Sequence, residues 1–291
     1  MEQDPRILKP EDYLEPSCPL CEEPYGAEPK AKRVPQQRIR DKMDEYMSRR
    51  DYAGAQRHLL YWLEEAQLGK DLRGELMIRN ELVGHFRKTQ DRDAAFTHAR
   101  HALELVEELE FDGTISSGTT YINVATAYNA FGKNEESLKL FEKAREVYES
   151  VPDIDPSLLG GLYNNMALVC VSLKRFDEAF LLYDQAMKVM EGVPGGELEQ
   201  AITCINIANA VEDKLGPEDA ESRINELMDQ AYELLDHTQA PRDGYYAFVC
   251  EKCAPAFSWY GYFLQAQDLS RRAEEIYAGK QDGQAERDPL S

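Results

Sequence analysis

From Gln36 to Tyr277 apolar residues recur at spacings of three, four and seven, the signature of helices that bury one face. Strand-like alternation is absent. Breakers divide this stretch at regular places. Gly113, Pro152 with Pro156, Pro194-Gly195-Gly196 and Pro241 separate units, while Gly132 and Gly216-Pro217 mark turns inside units. The pattern predicts six helix pairs, at about 36–68, 71–110, 114–150, 156–192, 196–237 and 242–278. In the second helix of each pair a small residue recurs as an anchor. Ala102, Ala144, Ala186, Ala231 and Ala273 step by 42, 42, 45 and 42 residues, and Tyr52, Ala55, Leu59 and Trp62 extend the series towards the N-terminus. Repeats of that length indicate an all-α stacked array, each pair covering the apolar face of the next. Residues 1–35 form a separate proline-rich tail, 36–279 the array, and 280–291 a polar end expected to fray.

The first helices repeat a second feature. Arg79-Asn80-Glu81-Leu82, Ile122-Asn123-Val124-Ala125, Asn164-Asn165-Met166-Ala167 and Ile205-Asn206-Ile207-Ala208 place asparagines at steps of 43, 42 and 41 residues. Asparagine is a poor helix former whose carboxamide both donates and accepts hydrogen bonds. Held in one register, such residues predict a row of amides along one wall. Asn80, Asn123, Asn165 and Asn206 form the expected row. Asn164 precedes it, and Thr126 and Asn209 lie one turn further on. A carboxamide can bond a peptide unit whatever the ligand's side chains, so the row points to capture of extended backbone. Arg79 and Arg87 lie near one end, where a guanidinium could seat a carboxylate. The competing reading has the amides bonding adjacent helices and only fixing their packing.

Lys174-Arg175-Phe176-Asp177-Glu178-Ala179 with Tyr183 and Ala186, and the small residues Ala125, Ala167 and Ala208, resemble the tetratricopeptide repeat family. The 42-residue period and Tyr163-Asn164-Asn165-Met166-Ala167-Leu168 look most like its kinesin-light-chain variety. The resemblance covers about 240 residues, is strongest in units three and four, and is weakest in units one and six. It implies a right-handed α-solenoid whose first helices line a concave groove, and an adaptor role. Related bacterial arrays hold short peptides through asparagines on those helices. Unit six departs from the pattern, because Pro255 inside its first helix is expected to kink it.

Charge narrows the partners. A formal net charge of −21 repels nucleic-acid phosphates and anionic membranes. The start lacks the basic and apolar regions of a secretory signal, and no apolar run approaches bilayer length, so a cytoplasmic location is expected. The six cysteines would then stay reduced. Cys18-Pro19-Leu20-Cys21 and Cys250-Glu251-Lys252-Cys253 form two Cys-x-x-Cys pairs. Together they could supply a tetrahedral thiolate zinc site, although the pairs are 229 residues apart, far more than such sites usually show. Zinc is the single cofactor the sequence raises. The alternative treats the tail pair as isolated and Cys250 and Cys253 as packing inward, as expected also of Cys170 and Cys204.

No glycine-rich phosphate loop or nucleophile elbow is present, and His98 with His101, three apart on one helix, is expected at the surface without a third ligand. The chain therefore reads as non-catalytic. Tyr121, Tyr163, Phe141, Tyr183, Tyr232 and Trp62 occupy expected core positions, while Trp259 falls at a rim or interface. Two roles follow: an adaptor gripping a protein or extended peptide through the amide row, or a structural protein that self-associates, as a homodimer for instance, through its last repeat and tail. The aromatic-rich last unit supports the second, since a terminal repeat needs a polar cap or a partner.

Overall fold

The computed structural model describes residues 32–285, and within them there are twelve helices and no strand. They run α1 (Gln36–Ser48), α2 (Tyr52–Leu68), α3 (Leu72–Lys88), α4 (Arg92–Glu108), α5 (Ile115–Ala130) and α6 (Asn134–Ser150). The second half holds α7 (Pro156–Ser172), α8 (Phe176–Val189), α9 (Gly196–Leu215), α10 (Pro217–His237), α11 (Gly244–Trp259) and α12 (Phe263–Ala285). Six hairpins thus stack into a tetratricopeptide-like solenoid. Helix α11 runs through Pro255 without a break, and α12 continues past the boundary expected at residue 279.

One left-handed residue turns each hairpin. Arg50, Gln90, Gly132, Lys174, Gly216 and Gly261 have φ of 54°, 63°, 79°, 60°, 84° and 86°. This conformation stops a helix by satisfying its last carbonyls. Where the next residue is aspartate, it starts the following helix: Asp51 accepts from Gly54 N at 2.8 Å and Asp91 from Ala94 N at 3.1 Å. Asp71 caps α3 in the same way and also accepts from Val34 N at 2.9 Å, tying the chain that enters α1 to the second hairpin.

The anchor alanines lie where helices cross. Ala102, Ala144, Ala186, Ala231 and Ala273 are buried, as are Ala125, Ala167 and Ala208 on the first helices. Phe141 and Tyr183 fill the gaps between them, and Trp62 and Tyr232 are half-buried. Tyr121 and Tyr163 are buried with their hydroxyls donating outward to Asp112 (2.9 Å) and Glu149 (3.0 Å). Successive odd-numbered helices touch, α3 on α5, α5 on α7, α7 on α9 and α9 on α11, whereas even-numbered helices pack mainly on their hairpin partners and on the next odd helix. The array therefore curves with the odd helices inside. Curvature brings Arg50, in the first hairpin's turn, into an ion pair with Glu251 on α11.

A polar knot joins α3 to α4. Arg79 is buried, its Nε donating to Glu75 Oε1 at 2.8 Å, while Gln67 donates to the same oxygen at 3.1 Å. Its Nη1 lies 3.2 Å from His98 Nδ1 and 3.1 Å from His101 Nδ1. A guanidinium only donates, so both rings accept through Nδ1 and carry their proton on Nε2. His98 also stacks on Phe86, centroids 5.5 Å apart. The histidine pair expected at the surface is instead half-buried around an arginine. Burial, then the Arg79 charge, then His101 push the His98 pKa down to about 4.

Two predictions follow from this packing. A Cβ on Gly118 would stand 2.4 Å from the Tyr148 ring, whereas one on Gly161 would meet nothing within 4 Å. Urea titration should show Gly118→Ala destabilising by about 1–3 kcal/mol through overpacking. Gly161→Ala should gain up to about 1 kcal/mol of helix propensity. The second concerns pH. A histidine whose folded pKa lies near 4, below the ordinary 6.5, contributes stability that is complete above 6.5 and lost as pH falls towards 4. The urea midpoint should therefore drop between pH 7 and pH 4, and His98→Gln, which keeps an acceptor for Arg79 without titrating, should lessen that drop.

Candidate peptide-binding groove

The inner wall carries the asparagines, but much of their bonding capacity is spent between repeats. Asn80 donates from Nδ2 to Leu76 O (3.1 Å) and Thr120 Oγ1 (2.9 Å), and its Oδ1 accepts from Asn123 Nδ2 at 3.3 Å. Asn206 Nδ2 donates to Asn164 Oδ1 at 2.9 Å, and Asn164 is buried. The expected row of four is thus two cross-repeat pairs, α3 with α5 and α7 with α9. The second pair uses Asn164 rather than its neighbour Asn165.

Counting bonds sorts these residues. A carboxamide offers two donor hydrogens and two acceptor lone pairs. Asn80 has spent both hydrogens and keeps only acceptor capacity, and Asn164 is buried with its carbonyl accepting from Asn206, so both take part in the packing between repeats. Asn123 and Asn206 each give one hydrogen to a neighbour and keep a second hydrogen and the carbonyl. Asn165 is half-exposed and makes no side-chain hydrogen bond among the described residues. Asn209 is exposed, its Oδ1 accepting from Tyr260 Oη at 2.9 Å while its amino group stays uncommitted. Thr126 bonds back to Ile122 O at 2.7 Å.

The two arginines part company. Arg79, expected to seat a ligand carboxylate, is buried and already engaged by Glu75 and the two histidines. Seven residues from Asn80, Arg87 shares its face of α3 and is half-buried. Among the described residues its guanidinium makes neither an ion pair nor a hydrogen bond, and burial draws its pKa below the usual arginine value.

At the other end of the wall, α9 and α11 bound a cleft of about 580 Å³ lined by Ile205, Asn206, Asn209, Glu212, Lys252 and Trp259. Trp259 is 75% exposed. Its Nε1 donates to Glu212 Oε2 at 3.3 Å, and Tyr260 Oη, whose one hydrogen is shared with Asn209 Oδ1, lies 3.0 Å from the same oxygen. Further along the same two helices Tyr245 donates to Glu199, and Phe248 stacks near Tyr245 with centroids 6.2 Å apart. Sequence reasoning passed over Glu199 and Glu212. The available signal was a second stripe on α11, Tyr245, Phe248, Lys252 and Trp259, at helical spacing but off the core face.

Cys250 and Cys253 are both buried and reduced, and burial pushes the Cys253 thiol up to about 12. Metal ligation needs the thiolate, which that burial opposes. Cys18 and Cys21 lie outside the described residues, within which no group of three or more His, Cys, Asp or Glu could hold a metal. Cys170 and Cys204 are core residues. No described helix is long and apolar enough to cross a membrane.

The tetratricopeptide repeat family matches residues 75–150. An Arabidopsis thaliana relative named kinesin light chain-related 3 is 25% identical over 107 residues, 36% of this chain and 16% of the relative; the match thus spans about a sixth of that protein's length. Among solved structures, nearly identical tetratricopeptide-like repeats described as those of a kinesin light chain from Podosopora anserina overlap with a TM-score of 0.47. They are 18% identical and cover 70% of this chain and 95% of theirs. BtubC from P. vanneervenii overlaps at 0.45, 16% identical, over 86% of this chain and 93% of its own. The family match thus spans the second and third hairpins, and the helical period of the described array is similar to that of the kinesin-light-chain-like kind of tetratricopeptide repeat.

Proposed function

We propose that the chain is a non-catalytic adaptor that takes an extended segment of a partner protein along its inner wall. Repeat proteins of this type generally act as protein-interaction scaffolds. The observation that carries the reading here is that the carboxamides with unspent hydrogen-bonding groups, Asn123, Asn165, Asn206 and Asn209, all stand on the inner helices α5, α7 and α9. Backbone amides of an extended strand need such donors and acceptors and ignore side-chain identity. Arg87, on the same wall at α3, supplies a cation for a carboxylate of the same ligand.

A second reading rests on the array's end. Phe263 and Leu264 are 68% and 80% exposed beside a cavity of about 510 Å³ between α11 and α12, lined by small residues such as Ala254, Ser258 and Ser270. That surface suits another helix, and a second copy of the chain could supply it. Light scattering separates the two readings: a monomer that still captures partners leaves only the adaptor.

The adaptor reading is tested by the double change Asn123→Ala with Asn165→Ala. Each lost backbone bond is worth about 0.5–1.5 kcal/mol, so affinity for a partner captured from cell extract should fall about tenfold or more while circular dichroism stays unchanged. Undiminished capture would make the amides purely structural.

A further inference from the structure

The charges along α9 and α11 specify the partner's chemistry further, on the footing that the inner wall does bind extended peptide. Four exposed carboxylates near these hairpins are paired: Asp213 with Lys174 (2.6 Å), Asp177 with Lys214 (2.8 Å), Asp236 with Arg272 (2.6 Å) and Glu251 with Arg50. Exposed Glu218, Asp219 and Glu233 on α10 have no such partner among the described residues, and neither have Glu199 and Glu212. The last two instead accept from aromatic donors, Tyr245 for Glu199, Trp259 and the shared Tyr260 hydroxyl for Glu212. Lys252 sits between them on α11, exposed and also without an ion pair.

A carboxylate beside an exposed aromatic face is a seat for an organic cation. The ring offers its negative face to the charge, and the carboxylate offers the hydrogen-bond acceptor that a guanidinium or ammonium requires. The chain's net charge of −21 adds a long-range field that draws cations in. Two such seats are present, and their separation sets a length. Tyr245 and Trp259 are fourteen residues apart on one helix, a rise of about 21 Å, which extended backbone covers in about six residues. Lys252 lies midway, seven residues from each.

We propose that the α9–α11 wall recognises an extended peptide bearing two basic side chains six residues apart, with an acidic or neutral residue between them on the same face of the strand. One basic side chain lies against Trp259 and Glu212, the other against Tyr245 and Glu199, and the intervening residue, two or four positions along, faces Lys252.

The test uses fluorescence polarisation with capped, labelled heptapeptides and the full chain. One carries arginine at both ends and glutamate at the third position, on the same face, a second replaces the arginines by glutamates, a third by serines, and a fourth sets the two arginines three apart. The first should bind saturably. Glu212→Gln and Glu199→Gln, surface changes that leave the fold intact, should each weaken it about fivefold, the scale of an exposed ion pair with a ring contact. The fourth should bind as weakly as those variants, and the second not at all. Equal binding of the arginine and serine peptides, or unchanged affinity in both variants, overturns the proposal. If the serine peptide binds and the Asn123, Asn165 double change abolishes it, the groove reading stands and the basic partner is wrong. If no peptide binds, the basic assignment falls and partner capture with the asparagine variant decides the groove separately.

Discussion

A small buried residue at each helix crossing sets how closely one hairpin can lie on the next. Ala125, Ala167 and Ala208 on the first helices, and Ala102, Ala144, Ala186 and Ala231 on the second, leave no side chain beyond a methyl in the contact. Ser137, at an equivalent site on α6, uses its hydroxyl to bond Ala125 O at 2.7 Å and binds its two helices directly. Close approach on the inner side, repeated from α3 to α11, produces the curvature. Curvature in turn makes an inner wall on which residues 42 positions apart become neighbours. No single hairpin contains a site; the wall exists only in the stack.

That dependence lets the amides serve two ends in the proposed function. Where two inner helices come within reach, as at α3–α5 and α7–α9, facing carboxamides bond one another and help fix the register of the stack. A carboxamide has more bonding capacity than one neighbour consumes, so the same residues that join repeats keep donors and acceptors for a ligand. Asn123 and Asn206 are of this kind. Asn165 has no such partner, and at the α5–α7 step no amide pair bridges the helices. An incoming backbone would meet its least committed groups there, in the middle of the array.

Much of the architecture could be read from the sequence because each boundary has a local cause. The six pairs follow breakers and apolar spacing, and the anchor alanines follow from repetition. What stayed hidden depends on three dimensions. The turns at Arg50, Gln90 and Lys174 use the left-handed region without glycine, so no residue announces them. Arg79 looked like a free cation because its partners sit on another helix: Glu75 is one turn away, but His98 and His101 reach it only when α4 folds back on α3. Asn164 and Asn165 are adjacent, and sequence register placed the second in the inward-facing row with Asn80, Asn123 and Asn206. Helix rotation chose the first to pair with Asn206. The α9–α11 seats were missed because Glu199 and Glu212 look like any other surface carboxylates until the aromatic donors of α11 are set beside them.

The contact between the first and last hairpins bears on access to this wall. Arg50 and Glu251 meet across 201 residues of chain, and Tyr277 Oη reaches the same carboxylate at 3.4 Å. Both charged side chains are largely in water, 70% and 47% exposed. A pair so placed contributes on the order of 1 kcal/mol or less, against the large apolar area buried within every hairpin. The ends of the solenoid therefore touch without being locked. Thermal motion can part them at little cost, and a long partner segment can enter from the side instead of threading through an end. Lys252, in the cleft that holds Trp259, and Glu251, in the contact between the ends, are thus consecutive residues of one helix.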